Sequence, residues 1–153
     1  MNAPSPALIG IAGVHHSVSE FSRRGLVALP TIRNTAAYDI IVATPDGTKH
    51  ANIQVKTSLK RVNFFPMPSP ERIKVGPRDW YVLLRWVASN NAFEGFMLSA
   101  REAKAEVERA EASQRKSIAA GRRTKLFPCV YVGPQVEELA CRWRKRWLSW
   151  GLE

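Results

Sequence analysis

The chain has only two cysteines, Cys129 and Cys141, twelve positions apart with no histidine nearby. That spacing fits neither a zinc knuckle nor a disulfide framework, so both read as reduced thiols that pack. Long apolar runs are missing too. The longest in the first thirty residues, ALIGIAGV, is too short to span a bilayer, and no basic segment precedes it. A cytoplasmic protein without a membrane partner is the expectation. No internal repeat or low-complexity tract appears, and apolar residues are spread along the whole length. One domain over residues 1–153 follows, and a chain of that size buries roughly two thirds of its unfolded surface.

Acidic residues are also scarce. Thirteen Asp and Glu stand against twenty-three Lys and Arg, a formal charge of +10. Such an excess is the electrostatic footprint of a polyanion binder, although a basic protein with no nucleic-acid role has the same composition.

What the sequence does hold is a sequence of periodic segments. Leu8, Ile11, Val14, Val18 and Phe21 recur at three- and four-residue spacing and stop at Gly25, predicting an amphipathic helix over 5–24. LVAL, from Leu26 to Leu29, is a short strand. Pro45, Asp46 and Gly47 turn the chain between Asp39–Thr44 and Lys49–Ser58, which form a hairpin. Residues 59–79 carry four prolines and no clear period, so they read as a long loop. WYVLLRWV from Trp80 and EGFML from Glu94 predict a second hairpin turning at Ser89, Asn90 and Asn91. Ser99 with Glu102 three residues on is an N-terminal cap for a charged helix running towards Gly121. A last strand, CVYV, precedes a helix from about Gln135 to Trp150. This order gives an α/β or α+β sheet flanked by helices.

The first hairpin gathers polar residues on one side. Alternation puts Asn52, Gln54, Lys56 and Ser58 on one face of their strand and Ile53, Val55 and Thr57 on the other. With the turn centred between Asp46 and Gly47, the register pairs Ala43 with His50, Ile41 with Asn52, and Asp39 with Gln54. Asp39, Gln54 and Lys56 then converge, unless a bulge slips the pairing. Such a cluster suits metal-assisted phosphodiester hydrolysis. The Asp39 carboxylate, the Gln54 amide oxygen and the Val55 main-chain carbonyl offer hard oxygen ligands to magnesium, and Lys56 stands ready to orient water or meet phosphate charge. A solvated sheet edge fits the spacing equally well.

The segment SRRGLVALPTIRNTAAYDIIVATPDGTKHANIQVKTS resembles the core of the PD-(D/E)XK, or restriction endonuclease-like, superfamily, particularly small bacterial members with a Q-x-K variant. The likeness covers roughly residues 8–60. It implies an α/β fold with a mixed central β-sheet of about five to six strands flanked by α-helices. It also implies a DNA endonuclease using Mg2+ or Mn2+, with Asp39 as the metal-binding aspartate, Gln54 as the second ligand and Lys56 as the lysine. A homodimer is an assembly it allows. Arg33 and Asn34 match the R-N-T before the aspartate, and Ser58 falls in the T-S after the lysine. Arg23, Arg24, Arg33, Asn34, Ser58, Lys60 and Arg61 are the expected nucleic-acid contacts.

One position departs from the family pattern. Members of this kind often carry a helix glutamate eleven residues before the glycine of R-R-G, and here that position is Val14. Glu20, six residues on at about 100° each, lies some 120° round the helix and cannot simply replace it. A charge at about 4 Å is worth roughly 4 kcal/mol at an effective dielectric of about 20, so metal affinity suffers. A nuclease-derived DNA-binding or protein-interaction domain is therefore the alternative. His15 and His16 are expected at the helix surface, although a histidine can ligate manganese. RKSIAAGRRTK, from Arg115 to Lys125, is a second cationic run near a helix end, either a clamp on nucleic acid or only a solvated face. Around RWRKRWLSW near the C-terminus, Leu139, Trp143, Trp147 and Trp150 form a helical stripe expected to pack on the sheet, which points Arg142, Arg144, Lys145 and Arg146 outward. Phe64 and Phe65 either cap the core or wedge into a duplex.

Overall fold

The structure, a computed structural model, describes residues 4–32 and 38–152. Helix α1 (Pro6–Arg23) begins where Ser5 accepts a hydrogen bond from the Leu8 N–H at 3.4 Å, with proline at the first helical position. It ends as the periodicity predicts, at Gly25 with φ +79°. Three strands follow as an antiparallel meander: β1 (Val27–Pro30), β2 (Ile40–Ala43) and β3 (His50–Ser58). The chain then leaves the sheet through a short strand, β4 (Phe64–Pro66), and a 3-10 turn at Pro70–Arg72. It returns as β5 (Asp79–Val87), parallel to β3, and β6 (Ala92–Ser99) folds back antiparallel on β5. The result is a mixed five-stranded sheet in the order β1-β2-β3-β5-β6, flanked by helices.

Helix α2 (Ala100–Ala119) opens on the expected reciprocal cap between Ser99 and Glu102. Beyond it, β7 (Cys129–Tyr131) does not extend the central sheet. It pairs antiparallel with β4, so the loop expected over 59–79 contains half of a separate two-stranded sheet. A buried polar clamp fixes this return: Gln114 of α2 donates to the Phe127 carbonyl at 2.9 Å and accepts from its N–H at 2.6 Å. Phe65 is thereby buried while Phe64, one residue earlier, stays exposed.

Helix α3 (Glu137–Ser149) runs along the edge strand β6, which shields that edge. Its tryptophans divide between the two faces of the sheet. Trp143 joins Leu83, Phe96 and the α2 residues Ala103 and Val107 on one face. Trp147 and Trp150 join Phe21, Ile40, Ile53 and Leu84 on the other. All three are buried, so the helical stripe is core rather than a stacking platform. Among the described residues no helix is long and apolar enough to cross a membrane.

Candidate active site

The β2–β3 turn is held by Asp46, whose carboxylate accepts from the Thr48 N–H at 3.1 Å and the Thr48 hydroxyl at 2.9 Å. The register beyond it is the expected one, with Ala43 opposite His50 and Ile41 opposite Asn52. It changes at the Asp39 end. Ile40 faces Ile53, and the Asp39 N–H also donates to the Ile53 carbonyl at 2.9 Å. Two consecutive residues thus oppose one, as in a β-bulge, and the bulge re-aims the aspartate. The expected pairing of Asp39 with Gln54 does not form. Instead Asp39 Oδ2 accepts from the Val55 N–H at 2.7 Å, and the carboxylate lines a groove of about 500 Å³ under α1 with Val14, His15, Tyr38 and Val55.

Gln54 lines a different groove, of about 210 Å³, with Tyr38, Arg72, Lys74, Asp79 and Tyr81. Tyr38 borders both grooves. Asp79 anchors this second wall, accepting from the Asn52 side-chain amide at 2.9 Å and the Gly76 N–H at 2.9 Å. Burial raises the Tyr38 phenol, and its hydrogen bond with Asp79 raises it further. Burial raises Tyr81 as well, with the charges of Asp79, Tyr38 and Asp39 adding to it. Lys56 shares the Gln54 face, as alternation requires, but lines neither groove and forms no hydrogen bond or ion pair among the described residues.

Helix α1 is placed by a close approach. A Cβ built on Gly13 would stand 1.8 Å from Thr57 Oγ1, so only glycine lets the helix lie on β3 at this distance. The next residue, Val14, lines the Asp39 groove and presents an apolar side chain to it. His15 is exposed there as expected. His16 is only half-exposed: its ring tilts against Phe93 at 5.0 Å and Trp147 at 6.4 Å, and burial lowers its pKa. Glu20 is occupied by Arg23 at 2.9 Å and Arg24 at 3.1 Å.

The expected nucleic-acid contacts separate into two groups. Arg24 turns inward, its guanidinium 4.8 Å from the Trp147 ring and two of its nitrogens buried without a partner, so it does not meet a ligand at the surface. Arg23 is exposed beside Glu20. Ser58 closes the end of β3, accepting from the Lys60 N–H and donating to its carbonyl, both at 3.1 Å. Lys60 and Arg61 are exposed. Arg33 and Asn34 lie outside the described residues. The α3 arginines do not simply point outward, because carboxylates hold them: Arg142 and Arg146 meet Glu102, and Arg144 meets Glu94 and Glu137.

Sequence reasoning missed Tyr38, Asp79 and Tyr81, and it placed Asn52 on the polar face without its Asp79 partner. Their meeting depends on the parallel pairing of β3 with β5, which places Asn52 opposite Asp79 and Gln54 opposite Tyr81. No local spacing encodes a partner 27 residues away. Among the described residues no group of three or more His, Cys, Asp and Glu is arranged to hold a metal. The oxygens that remain are those of Asp39 and the Val55 carbonyl, which leaves β3 on the same edge as the N–H that Asp39 binds. Both are hard donors. One carboxylate with waters and a substrate phosphate is a usual way of holding magnesium, so this reduced set fits such an ion.

No family model and no curated protein matches the chain. Among solved structures it is similar to a bacterial homing endonuclease, at 13% identity over 65% of this chain and 68% of that one, with a TM-score of 0.45.

Proposed function

We propose that the chain is a single restriction endonuclease-like domain that hydrolyses DNA phosphodiester bonds with Mg2+ or Mn2+. The observation that carries this reading is the Asp39 carboxylate, fixed by the Val55 N–H at 2.7 Å at the mouth of an open groove. Asp39 and the Val55 carbonyl hold the ion. When bound, the ion polarises the phosphate and lowers the pKa of an attacking water. Gln54, on the far side of Tyr38, faces the substrate strand rather than the ion. Lys56, a long side chain without an internal partner, starts on the Gln54 face and lines neither groove, so it meets the phosphate by reaching across the edge of β3. The excess of cations over acids supports DNA as the substrate.

The test is cleavage of supercoiled and branched DNA with each metal, run beside Lys56→Ala. Cutting that disappears in the variant while DNA binding persists is the expected result, and undiminished cutting by Lys56→Ala rejects the assignment. A second reading has its own observation: Val14 leaves the Asp39 groove with no helix carboxylate, which favours a nuclease-derived domain that binds DNA without cutting it. Val14→Glu separates the two. A silent wild type that this substitution switches on is a weakened nuclease, and a pair silent under every metal is a binding domain.

A further inference from the structure

From Ala112 to Val136 the chain contains no acidic residue and five cations. Arg115 is paired with Glu111 at 3.7 Å. Lys116, Arg122, Arg123 and Lys125 are exposed and form no ion pair among the described residues. Gly121, at φ +70°, ends α2 and sends this run back, and the Gln114 clamp on Phe127 brings it down onto the β4–β7 ribbon. Lys125 stands two residues before Phe127, whose backbone Gln114 holds, so the run leads directly into the ribbon.

On the ribbon three aromatic rings meet outside the core. Phe64 and Phe127, 40% and 37% exposed, lie with centroids 5.6 Å apart and planes at 89°, and Tyr131 is 6.4 Å from Phe64. The neighbouring Phe65 is buried in the core, whereas Phe64, Phe127 and Tyr131 belong to neither buried cluster. Exposed rings beside unpaired cations form the combination that binds single strands: cations follow the phosphates while unpaired bases stack on the aromatic faces. A duplex offers the same phosphates but hides its base faces, so it satisfies only half of this surface.

We propose that the β4–β7 ribbon and the Arg122–Lys125 loop form a binding surface for single-stranded DNA, with Phe64 and Phe127 as the stacking pair. The polymer is taken from the nuclease reading above. The surface adds a substrate class to it, DNA that carries an unpaired segment such as a flap, branch or melted region.

The experiment is fluorescence anisotropy in EDTA with a labelled 20-nucleotide oligo-dT and a 20-base-pair duplex. Phe64→Ala/Phe127→Ala is expected to weaken oligo-dT binding by about tenfold or more and to leave duplex binding within about twofold. Phe64→Tyr/Phe127→Tyr keeps the rings and is expected to bind oligo-dT like the wild type, which separates stacking from fold damage. Arg122→Gln/Arg123→Gln/Lys125→Gln is expected to weaken both ligands and to lower the salt slope for oligo-dT by about two. Oligo-dT binding within twofold of wild type in the double alanine variant overturns the proposal, as does an equal loss on duplex and single strand. Cleavage is not read. A silent Asp39 groove leaves the outcome intact, and an active one does not rescue the proposal if the ring variants bind normally.

Discussion

Two stretches of this chain are rich in cations and behave differently. On α3, Arg144 meets Glu94 at 2.8 Å and also Glu137, while Arg146 meets Glu102 at 2.5 Å and the Met97 carbonyl at 3.2 Å. Burial opposes ionisation of Glu94 and Glu102, yet their arginine partners hold both below the ordinary carboxylate range. After α2, by contrast, Arg122, Arg123 and Lys125 are exposed and unmatched among the described residues. The α3 arginines fasten a helix to a sheet. The α2–β7 arginines remain available to an outside anion. Net charge therefore says little about where a polyanion binds; the position of the acids says more.

The comparison breaks most sharply at the packed end. Trp147→Ala removes a ring that packs on Phe21 and carries Arg24 over its face, and is expected to lower unfolding stability by about 3–5 kcal/mol in urea melts. Glu102→Ala should cost about 2 kcal/mol by the same measurement, since one carboxylate both caps α2 and holds Arg142 and Arg146. Replacing Arg122, Arg123 and Lys125 by glutamine is expected to leave stability within about 0.5 kcal/mol of wild type. Equal losses at the two sites would erase the distinction.

A smaller effect concerns pH. His16 has a lowered pKa in the folded chain because burial disfavours its charged form. The unfolded chain thus takes up the proton first, and the stability tied to neutral His16 is complete above the ordinary value of 6.5 and lost as pH falls towards the lowered one. The stability difference between pH 7.5 and 5.5 should be smaller in His16→Gln than in the wild type. A fall in stability of the same size in both proteins assigns it to other groups.

Much of the fold is legible locally. The helix from Pro6, the Ser99–Glu102 cap, both hairpins and the buried tryptophan stripe lie where period, caps and turn residues place them. What is not legible depends on distant partners. β7 chooses β4 rather than the central sheet because Gln114 anchors the returning chain, and two consecutive phenylalanines give no local sign that one will be buried and the other exposed. The hairpin site shows the same limit. Turn chemistry fixes the register from Ala43 to Ile40, but the bulge at Asp39 turns the carboxylate towards Val55 and away from Gln54. One residue of slip changes which face the aspartate serves.

The most direct test of the account is therefore at Asp39. Supercoiled plasmid should be nicked by the wild type only when Mg2+ or Mn2+ is added, and Asp39→Ala should lose at least about a hundredfold in rate while still binding DNA. Nicking by Asp39→Ala at the wild-type rate, or wild-type nicking that proceeds in EDTA, would contradict it.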